Sequence, residues 1–211
     1  MQTQWTEKYR PATWDDVVGH ESQVRMLRNM ASRGALGGNA FWISGKPGNG
    51  KTSLAYLIAR SFNADFTLEL NATEITEASA RNLAETYYHG FFKTAFIVNE
   101  AHGLAAKTRR GLLSLIEPPT LQSNCLWVFT TTLEGAMIFD DLVDAQAFLS
   151  RCKEIKLAQR GVSGAYVERC KAILAAEGLP DTLIPSKLAQ DNANNLRAMI
   201  QQIEQLSYCY A

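Results

Sequence analysis

A chain of 211 residues suits one domain of ordinary size, or a larger one with a small appendage. It is 46% hydrophobic and 20% charged, which fits a globular fold with a sizeable core and argues against a disordered chain. Its 21 basic residues balance 21 acidic ones, so no global field draws it to nucleic acid or to an anionic membrane, and any such binding must use a local patch.

The opening residues, MQTQWTEKYRP, lack the apolar core of a signal peptide, and no apolar run approaches membrane-spanning length. The four cysteines (Cys125, Cys152, Cys170 and Cys209) are widely spaced, without a C-x-x-C pair. That spacing argues against structural zinc and a disulfide framework, and it fits thiols packed in a reducing cytoplasm. His20, His89 and His102 have no metal-ligand spacing and are assigned no chemistry.

Five short apolar runs in chain order predict strands: Phe41–Ser44, Phe66–Leu70, Ala95–Val98, Leu126–Thr131 and Glu154–Leu157. Segments with helical spacing separate them, such as Leu54, Ala55, Leu57, Ile58 and Phe62. Strands alternating with helices predict a mostly parallel sheet covered on both faces. After Leu157 the strands stop, and helices are predicted over about 162–177, 185–191 and 194–208. Leu196, Met199, Ile200, Ile203 and Leu206 form one stripe, enough to pack a small bundle. The chain is therefore expected to divide near residue 158, into an α/β body over 1–158 and a helical lid over 159–211.

Between the first strand and the next helix lies G-x-x-x-x-G-K-T, in the stretch Gly45-Lys46-Pro47-Gly48-Asn49-Gly50-Lys51-Thr52-Ser53. Gly45, Gly48 and Gly50 let backbone N–H groups turn inward around phosphate oxygens, and Pro47 stiffens the turn. Lys51 can reach the terminal phosphates, and the Thr52 hydroxyl can ligate magnesium. The helix that follows points its positive end at the same anion. A nucleoside triphosphate with Mg2+ is the expected ligand.

Around this loop the chain carries WTEKYRPATWDDVVGHE at the N-terminus and, beyond the loop, FIVNEAH, LIEPP, FTTT, LSRC and NNLRAMI. Together with the phosphate loop these motifs resemble those of clamp-loader ATPases of the AAA+ family, the replication factor C subunits and the bacterial polymerase III motor subunits. The resemblance implies an α/β fold, a P-loop AAA+ parallel five-stranded sheet with a small C-terminal helical lid. It implies that Tyr9, Arg10, Pro11, Val17 and Val18 line the adenine pocket, although Trp5, Tyr9 and Trp14 can also anchor the arm on the core. By the same resemblance, Glu100 is the general base or water-positioner for attack on the terminal phosphate, and Thr132, with Thr131 as alternate, is the polar sensor. Arg151 would reach a neighbouring subunit's nucleotide from the surface opposite its own phosphate loop, and Arg197 would reach the terminal phosphate from the lid. Lys107, Arg109 and Arg110 form a basic cluster that in this family lies near DNA, or a solvated helix face.

There are three departures. Asn99 stands where the family carries a carboxylate for magnesium, so the metal site, Thr52 and Asn99 with the phosphates, is expected to bind metal more weakly and turn over slowly; Asn99→Asp is expected to improve both. The stretch from Leu133 to Leu149 is longer than usual, with Asp140, Asp141 and Asp144 suggesting a polar insertion. The sequence stops at Ala211, where family subunits continue into a collar, so a monomer or weak oligomer is expected unless ATP and DNA are present. The functional expectation is a cytoplasmic clamp-loader-like ATPase acting with other clamp-loader subunits on a sliding clamp and primer-template DNA. The alternative is an ATP-gated interaction module of little or no turnover that docks on a replication complex.

Overall fold

The computed structural model describes residues 3–132, 142–157 and 160–210; residues 133–141 of the proposed insertion over 133–149, and the side chains of 142–144, lie outside it. After a short arm helix α1 (Trp5–Lys8) come α2 (Glu21–Ser32), β1 (Ala40–Ser44), α3 (Lys51–Ser61) and β2 (Phe66–Asn71). Helix α4 (Glu77–Tyr87), β3 (Thr94–Asn99), α5 (Ala106–Leu115) and β4 (Cys125–Thr131) follow. The chain then runs through α6 (Leu142–Arg151), β5 (Cys152–Lys156), α7 (Ser163–Ala176), α8 (Leu188–Asp191) and α9 (Leu196–Ser207).

The five strands pair in the order β2-β3-β4-β1-β5, every pair parallel. Parallel pairing requires crossovers, and the intervening helices supply them on both faces. That arrangement explains why β1, β3 and β4 read as continuous apolar runs: all five residues of β1 and all seven of β4 are buried. Phe96, Val98, Trp127 and Phe129 face one layer, with Trp42 and Phe148, in a ladder of stacked and edge-on rings. Ile43, Ile97 and Val128 face the other layer, against Leu54, Ala55 and Ile58 of α3.

A third core lies among the C-terminal helices, where Tyr166, Cys170, Ile173 and Leu174 of α7 meet Met199 and Ile203 of α9. The arm, numbered with the α/β body, packs its Trp5 into this third core. The Trp5 backbone N–H donates to Glu204 at 3.2 Å, and Tyr9 and Lys8 both donate to Glu177 at 2.7 Å.

Two boundaries differ from expectation. The last strand is Cys152–Lys156 rather than Glu154–Leu157, because its register against β1 starts at Ala40↔Cys152. The middle lid helix shrinks to one turn, Leu188–Asp191, in which Leu188 is the buried residue. No helix among the described residues is long and apolar enough to cross a membrane.

Candidate active site

Parallel strands bring the loops at their C-terminal ends to one edge of the sheet, and the candidate residues gather there. β1 ends at Ser44, and the glycine-rich loop turns directly into α3. Gly48 and Gly50 adopt φ of 75° and 84°, in the left-handed region that a side chain disfavours. Gly48 is doubly required, since a Cβ there would lie 1.7 Å from Oδ1 of Asn195 in the lid. Lys51, only 7% exposed, donates from Nζ to the carbonyls of Gly45 at 2.9 Å and Lys46 at 3.0 Å. Burial pushes its pKa below the usual lysine value; the Glu100 carboxylate opposes that and the Arg197 guanidinium adds to it. The ammonium therefore senses both of these side chains, one from the end of β3 and one from the lid.

Beside the loop is a cavity walled by three parts of the chain. Tyr9, Arg10, Pro11, Val17 and Val18 come from the arm, Gly48, Asn49, Gly50 and Ser53 from the loop and α3, and Leu196, Arg197 and Ile200 from α9. His20, Leu157, Tyr166 and Arg169 also line it. All five residues expected to contact the base, and Arg197, thus line one space. The backbone N–H of Arg197 reaches the Gly48 carbonyl at 3.4 Å, so the start of α9 sits against the phosphate loop.

Glu100 follows β3 with φ of 51°, an uncommon backbone for a residue with a side chain, of the kind that concentrates at functional sites. Its carboxylate stands 3.5 Å from Oγ1 of Thr132 and 3.5 Å from Nδ1 of His102. His102 is in turn 3.1 Å from Oγ1 of the buried Thr131. In the sequence His102 has no metal-ligand spacing, and its place two residues after Glu100 is the signal that points to it; the structure sets it on a tight 3-10 turn over Ala101–Gly103.

Asn99 is held on two sides. Its Oδ1 accepts a 3.0 Å hydrogen bond from Thr130, and its Nδ2 donates to the Glu69 carboxylate on the neighbouring strand β2. The Tyr56 hydroxyl of α3, one turn beyond Thr52, donates to the same carboxylate; burial and that carboxylate push the phenol up to about 12. An aspartate at 99 would have no hydrogen to offer Glu69. Asn99 is therefore matched to its surroundings, a feature that the sequence reading of a lost carboxylate did not contain.

The remaining candidates lie elsewhere. Arg151 ends α6 beside Cys152, which pairs with Ala40 at the start of β1, so it sits at the opposite end of the sheet from its own phosphate loop. It donates to the Ala147 carbonyl at 2.9 Å and to both Glu117 oxygens at 3.2 Å. The basic cluster on α5 needs correction. Arg109 is 7% exposed and turns inward to donate to the Leu104 carbonyl at 3.0 Å, so Lys107 and Arg110 are left exposed. Lys107 stands 3.7 Å from Glu77, which further reduces free positive charge there.

The residues present fit a triphosphate with magnesium. The loop offers a glycine cradle with a buried lysine at its base. Thr52 offers a hydroxyl, and Asn99 keeps a second lone pair on an oxygen oriented by Thr130. This donor set suits a hard cation that takes most of its ligands from phosphate and water.

With this geometry in place, the class follows: a P-loop ATPase fold with a parallel five-stranded sheet and a helical lid. The family model for AAA, the ATPase family associated with various cellular activities, matches residues 41–159. The chain belongs to the AAA ATPase family, among its clamp-loader-like members. It is 36% identical over 184 residues to the replication factor C small subunit of Haloarcula marismortui, covering 83% of this chain and 53% of that protein. It is 35% identical to the replication factor C large subunit of Methanocella arvoryzae, covering 95% and 36%. With the DNA polymerase III subunit gamma/tau of Mycoplasma genitalium the identity is 29%, covering 95% and 36%. The chain thus spans between about a third and a half of the length of these curated relatives. Among solved structures it resembles the Thermotoga maritima RuvB Holliday junction branch migration motor, with a TM-score of 0.74 at 19% identity over 96% of this chain and 68% of that one. At that identity the likeness speaks for the fold alone.

Proposed function

We propose that this chain is a clamp-loader-like ATPase, which binds Mg·ATP between phosphate loop, arm and lid and acts with partner subunits on a sliding clamp and primer-template DNA. The observation that carries the nucleotide part is the buried Lys51, whose ammonium rests on the Gly45 and Lys46 carbonyls beside a cavity walled by arm, loop and lid. The clamp and DNA part is supported by similarity to replication factor C and DNA polymerase III subunits.

In this mechanism Lys51 exchanges its two loop carbonyls for phosphate oxygens, while the loop N–H groups hold the β-phosphate. Thr52 and Asn99 would hold magnesium, which would supply neutralisation of the negative charge on the phosphates. Glu100 orients the attacking water, and Thr132 and His102, both beside its carboxylate, fix that carboxylate's direction. Arg197 stabilises charge on the terminal phosphate from the lid. Arg151 does so on a neighbouring subunit's nucleotide, which agrees with its position at the far end of its own sheet.

A second reading is an ATP-gated interaction module with little turnover, and the engagement of Asn99 by Glu69 and Thr130 favours it. Steady-state ATPase rates with and without primed DNA and clamp separate the two. Turnover stimulated by DNA supports the loader. ATP binding without turnover under any of these conditions supports the module and refutes the loader.

A further inference from the structure

We infer that His20 is a positioning residue, a clamp that ties the phosphate loop to the lid so that ATP affinity depends on its ring. The inference rests on the nucleotide reading above for its consequence, but its geometry stands by itself. His20 is 3% exposed, at the point where the arm passes between the loop and the C-terminal helices. Its Nε2 lies 3.2 Å from the hydroxyl of Tyr166, a fully buried residue of α7 in the lid core. Its ring also lies against the backbone of Asn49, inside the phosphate loop, and the two residues wall the same cavity.

One neutral imidazole can donate at one nitrogen and accept at the other, which is what a bridge between a backbone group and a phenol demands. Burial keeps the ring neutral by lowering its pKa below the usual value. Gly19 brings the lid close at this point. It has a φ of 79°, and a Cβ on it would meet Val162 at 3.0 Å and Tyr166 at 3.2 Å.

The lid touches the same loop a second time, through Asn195 and Arg197 at Gly48. Adjacent loop residues, Gly48 and Asn49, therefore face the lid helices α9 and α7, the second by way of His20. A loop filled with phosphate is held in one shape, and His20 passes that shape to α7.

The test compares the parent chain with His20→Phe, His20→Gln and Tyr166→Phe. The readouts are ATP affinity by calorimetry and backbone hydrogen exchange in α7. Phenylalanine keeps the buried volume and removes both ring nitrogens, so ATP affinity should fall about tenfold, the change that one unsatisfied buried polar group brings. Exchange in α7 should quicken even without nucleotide. Glutamine, which donates and accepts, should recover most of the affinity. Tyr166→Phe removes only the hydroxyl and should move both readouts in the same direction, so it carries the test if His20→Phe fails to fold. Unchanged affinity and unchanged α7 exchange in the folded variants overturn the clamp. If the parent binds no ATP but the exchange difference persists, the nucleotide reading falls and the clamp stands.

Discussion

Replacing Asn99 by aspartate restores the carboxylate expected from the family pattern, and the structure attaches a cost to it. Asn99 donates to Glu69 and accepts from Thr130, so the aspartate loses one hydrogen bond and sets a second carboxylate against the first. Two like charges about 4 Å apart repel by roughly 4 kcal/mol at an effective dielectric near 20. Glu69 is solvent-exposed, so screening cuts this to about 1 kcal/mol, and the lost hydrogen bond adds about 1 kcal/mol. For a chain of this size each kcal/mol moves the melting temperature by about 2–4 °C, so Asn99→Asp should melt roughly 4–8 °C lower in a magnesium chelator. Mg·ATP should reverse the order, because the cation is attracted to the same two carboxylates. Thermal melts of the parent, Asn99→Asp and Asn99→Asp/Glu69→Gln, with chelator and with Mg·ATP, measure this. The double variant should regain the stability lost in chelator. A single variant that melts with the parent in chelator would refute the pairing of Asn99 with Glu69.

Glu100→Gln should keep ATP affinity and lose nearly all turnover, read by calorimetry and phosphate release, since its side chain is exposed and its removal costs the fold little. Arg151→Ala should retain binding and lose on the order of a thousandfold in turnover, with partial recovery on mixing with Lys51→Ala if copies of this chain complete one another's sites. Its ion pair with Glu117 is partly exposed, so that variant should lose no more than about 1 kcal/mol of stability in a denaturant titration. His20 gives stability a pH dependence. Its folded pKa is depressed by burial below 6.5, against the opposing effects of the Asn49 backbone and Glu21, so the unfolded chain binds the extra proton first. Stability should therefore fall as pH drops below 6.5 and level off under the folded pKa, and His20→Gln should remove that component from melts taken across the range.

Much of this could be read from the sequence because buried parallel strands and a phosphate loop are local patterns. Four of the five strands lie within a residue of their apolar runs, since runs such as Ala95–Val98 have no polar residue to blur them. The fifth starts two residues before its apolar run because Cys152 and Lys153 pair with Ala40 and Phe41 of β1. What remained hidden depends on pairing between segments far apart in the chain. Glu69 meets Asn99 across 30 positions through strand register, and His20 meets Tyr166 across 146. Arg109 reads as a solvated charge because its inward turn onto the Leu104 carbonyl is a property of the packed turn before α5.

The central claim is that the space among arm, loop and lid holds Mg·ATP through Lys51, and calorimetric titration of Mg·ATP into the parent chain and Lys51→Ala tests it most directly. In the parent, saturable one-site binding is expected. Melts at about a hundred times the dissociation constant should gain about 2.7 kcal/mol of stability from the ligand. In Lys51→Ala both the heat and the stabilisation should vanish while the fold persists, because the ammonium that rests on the Gly45 and Lys46 carbonyls is the one that would transfer to phosphate. Equal ATP affinity in the two proteins, or no binding by a folded parent chain, would contradict it.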